Sequence, residues 1–269
     1  MINKPDDSND ICSFLNSDEV VSQSRLSTTF NLSPLFWTAL CQEASGFFWA
    51  KEEADQAAAN HAPSSATCFK FLVKHGLSPT QAGTPKSLDY RWEKLAFASS
   101  WSPQRGIVML CFDVPTDLQG KIAETLLSGE AARYGQGPFS LHALVIIRIV
   151  ENFDRAVWSW RDVVRDLEKT RESEDASEKR SFEYMHETAR HVIHCSEMLT
   201  TAISVAESVV REVSGHKSHQ RDPASSTIVK DLEFSISLLT SLRNRSQALE
   251  KRLENETNLA SRVLLTCML

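Results

Sequence analysis

The sequence predicts an α+β protein: a small N-terminal α/β region followed by three long antiparallel helices of coiled-coil character. Three observations predict this. Seven of the nine prolines lie within 30–138, where long helices are therefore not expected. Two short apolar runs in the same stretch read as strands. From Ser140 onward proline occurs once, at Pro223, and glycine once, at Gly215. There, apolar residues recur at alternating spacings of three and four, the period of helices packed side by side.

Residues 1–29 are rich in Ser, Asp and Asn without periodicity, and read as a mobile tail. Within the small α/β region, 30–138, the runs 94–100 and 106–114 read as strands, the second one buried. Residues 35–53 and 118–132 read as helices. Trp37, Trp49, Trp92 and Trp101 are expected in or near the core of this region.

The third region, 139–269, is expected to be a long helical bundle. A Glu/Lys/Ser-rich break at 170–180 and the Gly215–Pro223 turn divide it into three segments. In the first, Ile146, Val150, Phe153, Val157, Trp160, Val164 and Leu167 fill every seam position. In the second, Phe182, Met185, Ala189, Val192, Leu199, Ile203, Ala206, Val210 and Val213 lie on the seam and Ser196 interrupts it. In the third, Ile228, Leu232, Leu239, Leu242, Leu249, Leu253, Ala260 and Val263 carry it, with Ser235, Ser246 and Glu256 as exceptions. At about 1.5 Å per residue each helix spans roughly 45–55 Å. Such helices bury their stripe only against one another or against partner chains.

Composition narrows the function classes. Charged residues are 24% of the chain, and the net charge of −6 argues against nucleic acid, which needs concentrated Lys and Arg. The six cysteines (Cys12, Cys41, Cys68, Cys111, Cys195, Cys267) follow no zinc or disulfide spacing and read as reduced thiols of a cytoplasmic protein. Lys4, Asp6, Asp7 and Asp10 interrupt any leader peptide, and no apolar run is long enough for a membrane span.

The only constellation suggesting chemistry is MHETARHVIH at 185–194. His186 and His191 are five apart, so they miss the shared face of a zinc-protease pair. Glu187, His191 and His194, at i, i+4 and i+7, do share a face and form the candidate metal site. The seam count puts Glu187 and His194 opposite the apolar stripe with His191 flanking them, so a solvated or third-helix-facing polar stripe is the simpler reading. No phosphate loop, nucleophile elbow or dinucleotide fingerprint occurs. No catalytic residue and no cofactor is therefore assigned, and the chain reads as a non-enzyme. Arg243, Arg245, Lys251 and Arg252 form a basic patch. Glu250, Glu254 and Glu256 interleave with it, which reads as a salt-bridged surface.

Several spaced motifs carry a family resemblance: VWSWRDVVR at 157–165, MHETARHVIH at 185–194, SLRNRS at 241–246 and RLENETNLA at 252–260. Together they resemble the soluble portion of filamentous-fungal proteins of the CorA-like magnesium-transporter family. The resemblance covers about 138–260, with weaker likeness around Trp101-Ser-Pro103 and 111–115. In that family two C-terminal membrane helices and a Gly-Met-Asn signature follow. Here Ala260 is followed by SRVLLTCML, with neither feature. The resemblance therefore implies a membrane-free, CorA-like protein without a pore. It would act by helix-mediated association with itself as a homo-oligomer, or with a full-length CorA-like relative. The alternatives are a truncated product of such a transporter, or an accessory factor in fungal secondary metabolism.

Overall fold

A computed structural model of the chain describes residues 2–3, 11–15, 23–53, 64–77, 88–169, 182–215 and 223–267. The elements run in chain order as β1 (Ile2–Asn3), β2 (Ile11–Leu15), α1 (Gln23–Phe30), a 3-10 turn (Pro34–Trp37), α2 (Ala39–Glu43), β3 (Gly46–Glu53), β4 (Ser64–Gly76), β5 (Tyr90–Ser102) and β6 (Gly106–Phe112). They continue as α3 (Thr116–Leu127), a second 3-10 turn (Glu130–Tyr134), α4 (Ser140–Lys169), α5 (Phe182–Gly215) and α6 (Pro223–Cys267).

The strands form one six-stranded sheet in the order β1-β2-β6-β5-β4-β3. β2 lies parallel to β6, whereas β5–β6 and β3–β4 are antiparallel. The contacts divide the chain into two units. The first comprises 1–72, 93–150 and 201–238, and the second 73–92, 151–200 and 239–269. Each unit therefore draws on strands and helices together.

In the first unit both sheet faces are covered. On one face Cys68, Ala98, Leu110 and Phe112 pack with Phe30, Leu32 and Phe36, and half-buried Trp37 and Trp49 close the cluster. On the other face Phe69 stacks on Phe97 at 4.8 Å and meets His142 of α4 at 5.1 Å. His142 is itself fully buried and hydrogen-bonds Thr67 Oγ1 at 2.7 Å, and Thr67 in turn reaches Ser99 at 2.7 Å. Burial on both faces explains why β6 reads as a nearly continuous apolar run.

Three expectations are corrected here. The stretch read as a tail supplies a sheet strand at Ile11–Leu15 and helix Gln23–Phe30, with Cys12 and Phe30 buried. Its strand is only five residues long, too short to show a period between polar neighbours. Residues 35–53 are not one helix but a 3-10 turn, a five-residue helix and strand β3. The aromatic run after Gly46 suits a pleated strand better than a helix. Strand β4 was not expected at all.

The strands at 94–100 and 106–114 and the helix beginning near 118 are present, the last as Thr116–Leu127 followed by a 3-10 turn. The three long helices hold 30, 34 and 45 residues. At about 1.5 Å per residue, the third extends to roughly 67 Å, beyond the expected length. Along α6 the buried positions are Ser225, Ile228, Leu232, Ser235, Leu239, Leu242, Ser246, Leu249 and Leu253, an unbroken alternation of three and four. The expected break at 170–180 lies outside the described residues. Among the described residues no helix is long and apolar enough to cross a membrane.

Candidate functional site

Four elements bring a cluster together within the second unit. The end of β4 supplies Lys74 and Gly76, and the start of β5 supplies Tyr90 and Trp92, two residues apart and hence on one face. α4 supplies Ser159 and Trp160, while Glu187, Arg190, His191 and His194 come from successive turns of α5. The strand end is fastened to α4 by two hydrogen bonds. Gly76 N–H donates to Ser159 Oγ at 2.9 Å, and Trp160 Nε1–H donates to the Lys74 carbonyl at 2.8 Å. A side chain at Gly76 would meet the Trp160 ring at 3.1 Å, so glycine permits the close approach.

Lys74 is 3% exposed. Its Nζ lies 4.1 Å from the Tyr90 ring centroid and 4.4 Å from that of Trp92. It donates to His191 Nδ1 at 2.6 Å and approaches His194 Nδ1 at 3.4 Å. An ammonium has donors only, so both Nδ1 atoms accept and the imidazole protons sit on Nε2. Trp160 stacks on the His191 ring at 5.2 Å, and Tyr90 covers it at 4.7 Å. His191 Nε2 is buried without a hydrogen-bond partner, and its nearest carboxylate oxygen, Glu187 Oε1, is 4.0 Å away. Glu187 is held by Arg190 at 3.2 Å.

Burial lowers the Lys74 amine to about 8, with Arg190 adding to the effect and Glu187 opposing it. Burial first, then the Lys74, Arg190 and His194 charges, lower His191 to about 4. His194 is lowered in the same direction, chiefly by burial and by Lys74. At neutral pH the two imidazoles are uncharged acceptors around a single amine.

This geometry alters the sequence reading of Glu187, His191 and His194. They share one helical face, as their spacing requires, but that face turns inward and His191 is 2% exposed. The reading of a solvated or third-helix-facing stripe is therefore corrected: the strand ends carrying Lys74, Tyr90 and Trp92 meet His191 and His194. Both Nδ1 lone pairs point at Lys74 Nζ rather than at a common vacant point. Among the described residues no three His, Cys, Asp or Glu side chains are placed to hold a metal ion. Lys74, Tyr90, Trp92 and Trp160 were not singled out from the sequence as site residues. The one available signal was Lys74 itself, a charge at the end of the apolar run FKFLVK that has to find partners wherever it is buried.

Elsewhere the chemistry is structural. Arg252 forms a two-pronged ion pair with Glu168, its Nε donating at 2.7 Å. Arg245 and Arg161 each lie 4.5 Å from the Trp158 ring. Arg245 and Arg252 of the basic patch are thus engaged within the chain. Burial pushes the Cys68 and Cys195 thiols up to about 12, which leaves them poor nucleophiles. Between α5 and α6 an open groove of about 590 Å³ is lined by His186, Ala189, Ile193, Gln247, Glu250, Lys251, Glu254, Thr257 and Asn258.

No family model matches the chain. It is 28% identical over 189 residues to notoamide biosynthesis cluster protein M′ of Aspergillus versicolor, a match covering 64% of this chain. The match covers 41% of that relative, so the chain spans about two-fifths of its length. Among solved structures, the ZntB cytoplasmic domain from Vibrio parahaemolyticus RIMD 2210633 superimposes with a TM-score of 0.51 at 9% identity, over 95% of this chain and 90% of that one. The soluble domain of CorA from Methanocaldococcus jannaschii gives a TM-score of 0.47 at 11% identity, over 87% of this chain and 81% of that one. The chain thus has the fold of the ZntB cytoplasmic domain.

Proposed function

We propose that the chain is a CorA-like domain that works by helix-mediated association, with itself or with a full-length relative, in the cytoplasm and without catalysing a reaction. One observation carries the reading. Among the residues whose burial is described, the last buried one of the α6 seam is Leu253, and none of residues 254–262 is buried although the helix continues through them. A helical segment that covers no apolar surface gains little from packing, because propensity alone stabilises it weakly. Leu259 on this segment is 36% exposed, and Ile193 beside it in the α5–α6 groove is 45% exposed. A partner helix seated there would cover both.

Size-exclusion chromatography with light scattering tests the proposal, with a discrete oligomer as the expected result. A monomer at every concentration, with no CorA-like relative recovered by affinity capture, would remove it.

A second reading is favoured by the relative from a notoamide biosynthesis cluster: an accessory role in fungal secondary metabolism. Metabolite profiling of a deletion strain separates the two. An unchanged profile leaves association as the function, and loss of one product class supports the accessory role.

A further inference from the structure

We infer that the partner is a second copy of this chain, its α6 lying antiparallel across the α5–α6 groove about a two-fold axis between Arg252 and Leu253. The inference deepens the association proposed above and rests on it. Four exposed residues of α6 line the groove as one stripe: Gln247, Lys251, Glu254 and Asn258. Their spacings of four, three and four hold them on one helical face over about three turns. The stripe has the same spacing read from either end, so a second copy running the opposite way meets it in register. Lys251 then faces the second copy's Glu254, and Gln247 faces its Asn258. Each pair occurs twice, because a two-fold contact is reciprocal.

Charge selects this arrangement. Among the described residues neither Lys251 nor Glu254 has an ion-pair partner in its own chain. Their neighbours do have partners: Glu250 accepts from Ser196, and Arg252 is held by Glu168. A parallel crossing of the same stripe would set Lys251 against Lys251 and Glu254 against Glu254. Like charges so opposed are unfavourable, whereas the antiparallel crossing satisfies all four.

α5 supplies the apolar side of the contact. Ser246 Oγ donates to the Val192 carbonyl at 3.4 Å, which puts the neighbouring Ile193 level with Ser246. In the antiparallel register the residue opposite Ser246 is the second copy's Leu259. The register chosen by charge thus also brings the unburied end of α6 beside Ile193, which is 45% exposed.

The experiment uses the whole chain and the variants Lys251→Glu and Glu254→Lys, alone, mixed and combined, read by sedimentation and circular dichroism. The parent should be a dimer. Each single variant sets two like-charge pairs across the axis and should raise the dimer Kd about tenfold. Mixing the two single variants restores both opposite-charge pairs, so a heterodimer of near-parental Kd should form. The combined variant should recover in the same way, and the differences should shrink as salt is raised. In the parent, carbodiimide should couple Lys251 of an isotope-labelled chain to Glu254 of an unlabelled one.

Folded single variants that dimerise like the parent, or that mixing fails to restore, would overturn the pairing and leave association itself standing. So would a closed ring with an odd number of chains. A cross-linked dimer lacking the Lys251–Glu254 peptide would overturn it whether or not the variants fold. A parent that is monomeric at every concentration would remove the pairing together with self-association.

Discussion

His142 sets a pH limit on the fold. It is fully buried, and its pKa is driven down to about 3 by burial, so the folded protein holds it neutral. The unfolded chain takes up that proton near 6.5. The sign follows: the unfolded state binds more protons between about 3 and 6.5, and stability falls as the pH drops through that window. At pH 4.5 the loss from this one group is about 2–3 kcal/mol. His191, lowered to about 4, acts in the same direction. Urea midpoints at pH 7 and 4.5 should therefore separate clearly in the native sequence. His142→Gln should be less stable at pH 7 and lose part of that separation; an undiminished separation would count against the assignment. At this scale the sequence was partly legible. The i, i+4, i+7 spacing placed Glu187, His191 and His194 on one face, because helical periodicity is local. What the face touches was not legible, since Lys74 lies 117 residues from His191 and nothing local encodes that pairing.

At the scale of elements, α6 is the clearest case of sequence dictating structure. Its three-and-four repeat reappears as the buried line from Ile228 to Leu253, whereas Ala260, also read as a seam position, is only half-buried. Leu239, 1% exposed, stands in that line. Leu239→Asp would place a carboxylate there without a partner and cost about 3–5 kcal/mol. Loss of cooperative melting and of helical ellipticity is the expected outcome, and a melting curve matching the parent would refute the seam. The sheet was harder to read. β4 carries Lys70 and Lys74 among its apolar residues and is buried on both faces, so neither a two-residue nor a 3.6-residue period stands out. Lys70 finds its place by donating to the Cys41 carbonyl at 3.1 Å and to that of Gln42, at the end of α2. β3 was masked in another way: Gly46 in an aromatic run passes for a helical interruption, whereas it is a docking point. A Cβ at Gly46 would meet Thr201 Cγ2 at 2.8 Å and the Lys70 carbonyl oxygen at 2.9 Å. The second contact is backbone and cannot yield cheaply. Gly46→Ala should lower stability by about 1–3 kcal/mol, measurable as a reduced urea midpoint with an unchanged denaturant slope. An unaltered midpoint would mean that the strand and α5 do not meet there.

For the whole molecule, the seam also predicts where packing within the chain stops. A helix contributes stability where its stripe is covered, and after Leu253, as far as Arg262, no residue of α6 is buried. From 254 to 262 the residues are exposed or half-exposed, and Leu259 and Ile193 present apolar side chains on or beside that stretch. If these side chains are contact points between chains, a charge at each should separate the chains while leaving every intrachain contact intact. The double variant Ile193→Glu, Leu259→Glu should therefore sediment as a monomer at concentrations where the parent is an oligomer. Its helical ellipticity should be unchanged and its melting temperature close to the parent's once dissociation is allowed for. Two carboxylates facing their counterparts across an interface repel, and the effect should weaken as salt is raised. A variant that keeps the parent's sedimentation coefficient would show that association, if present, uses another surface. A variant that loses helix would show instead that Ile193 and Leu259 belong to the core of their own chain.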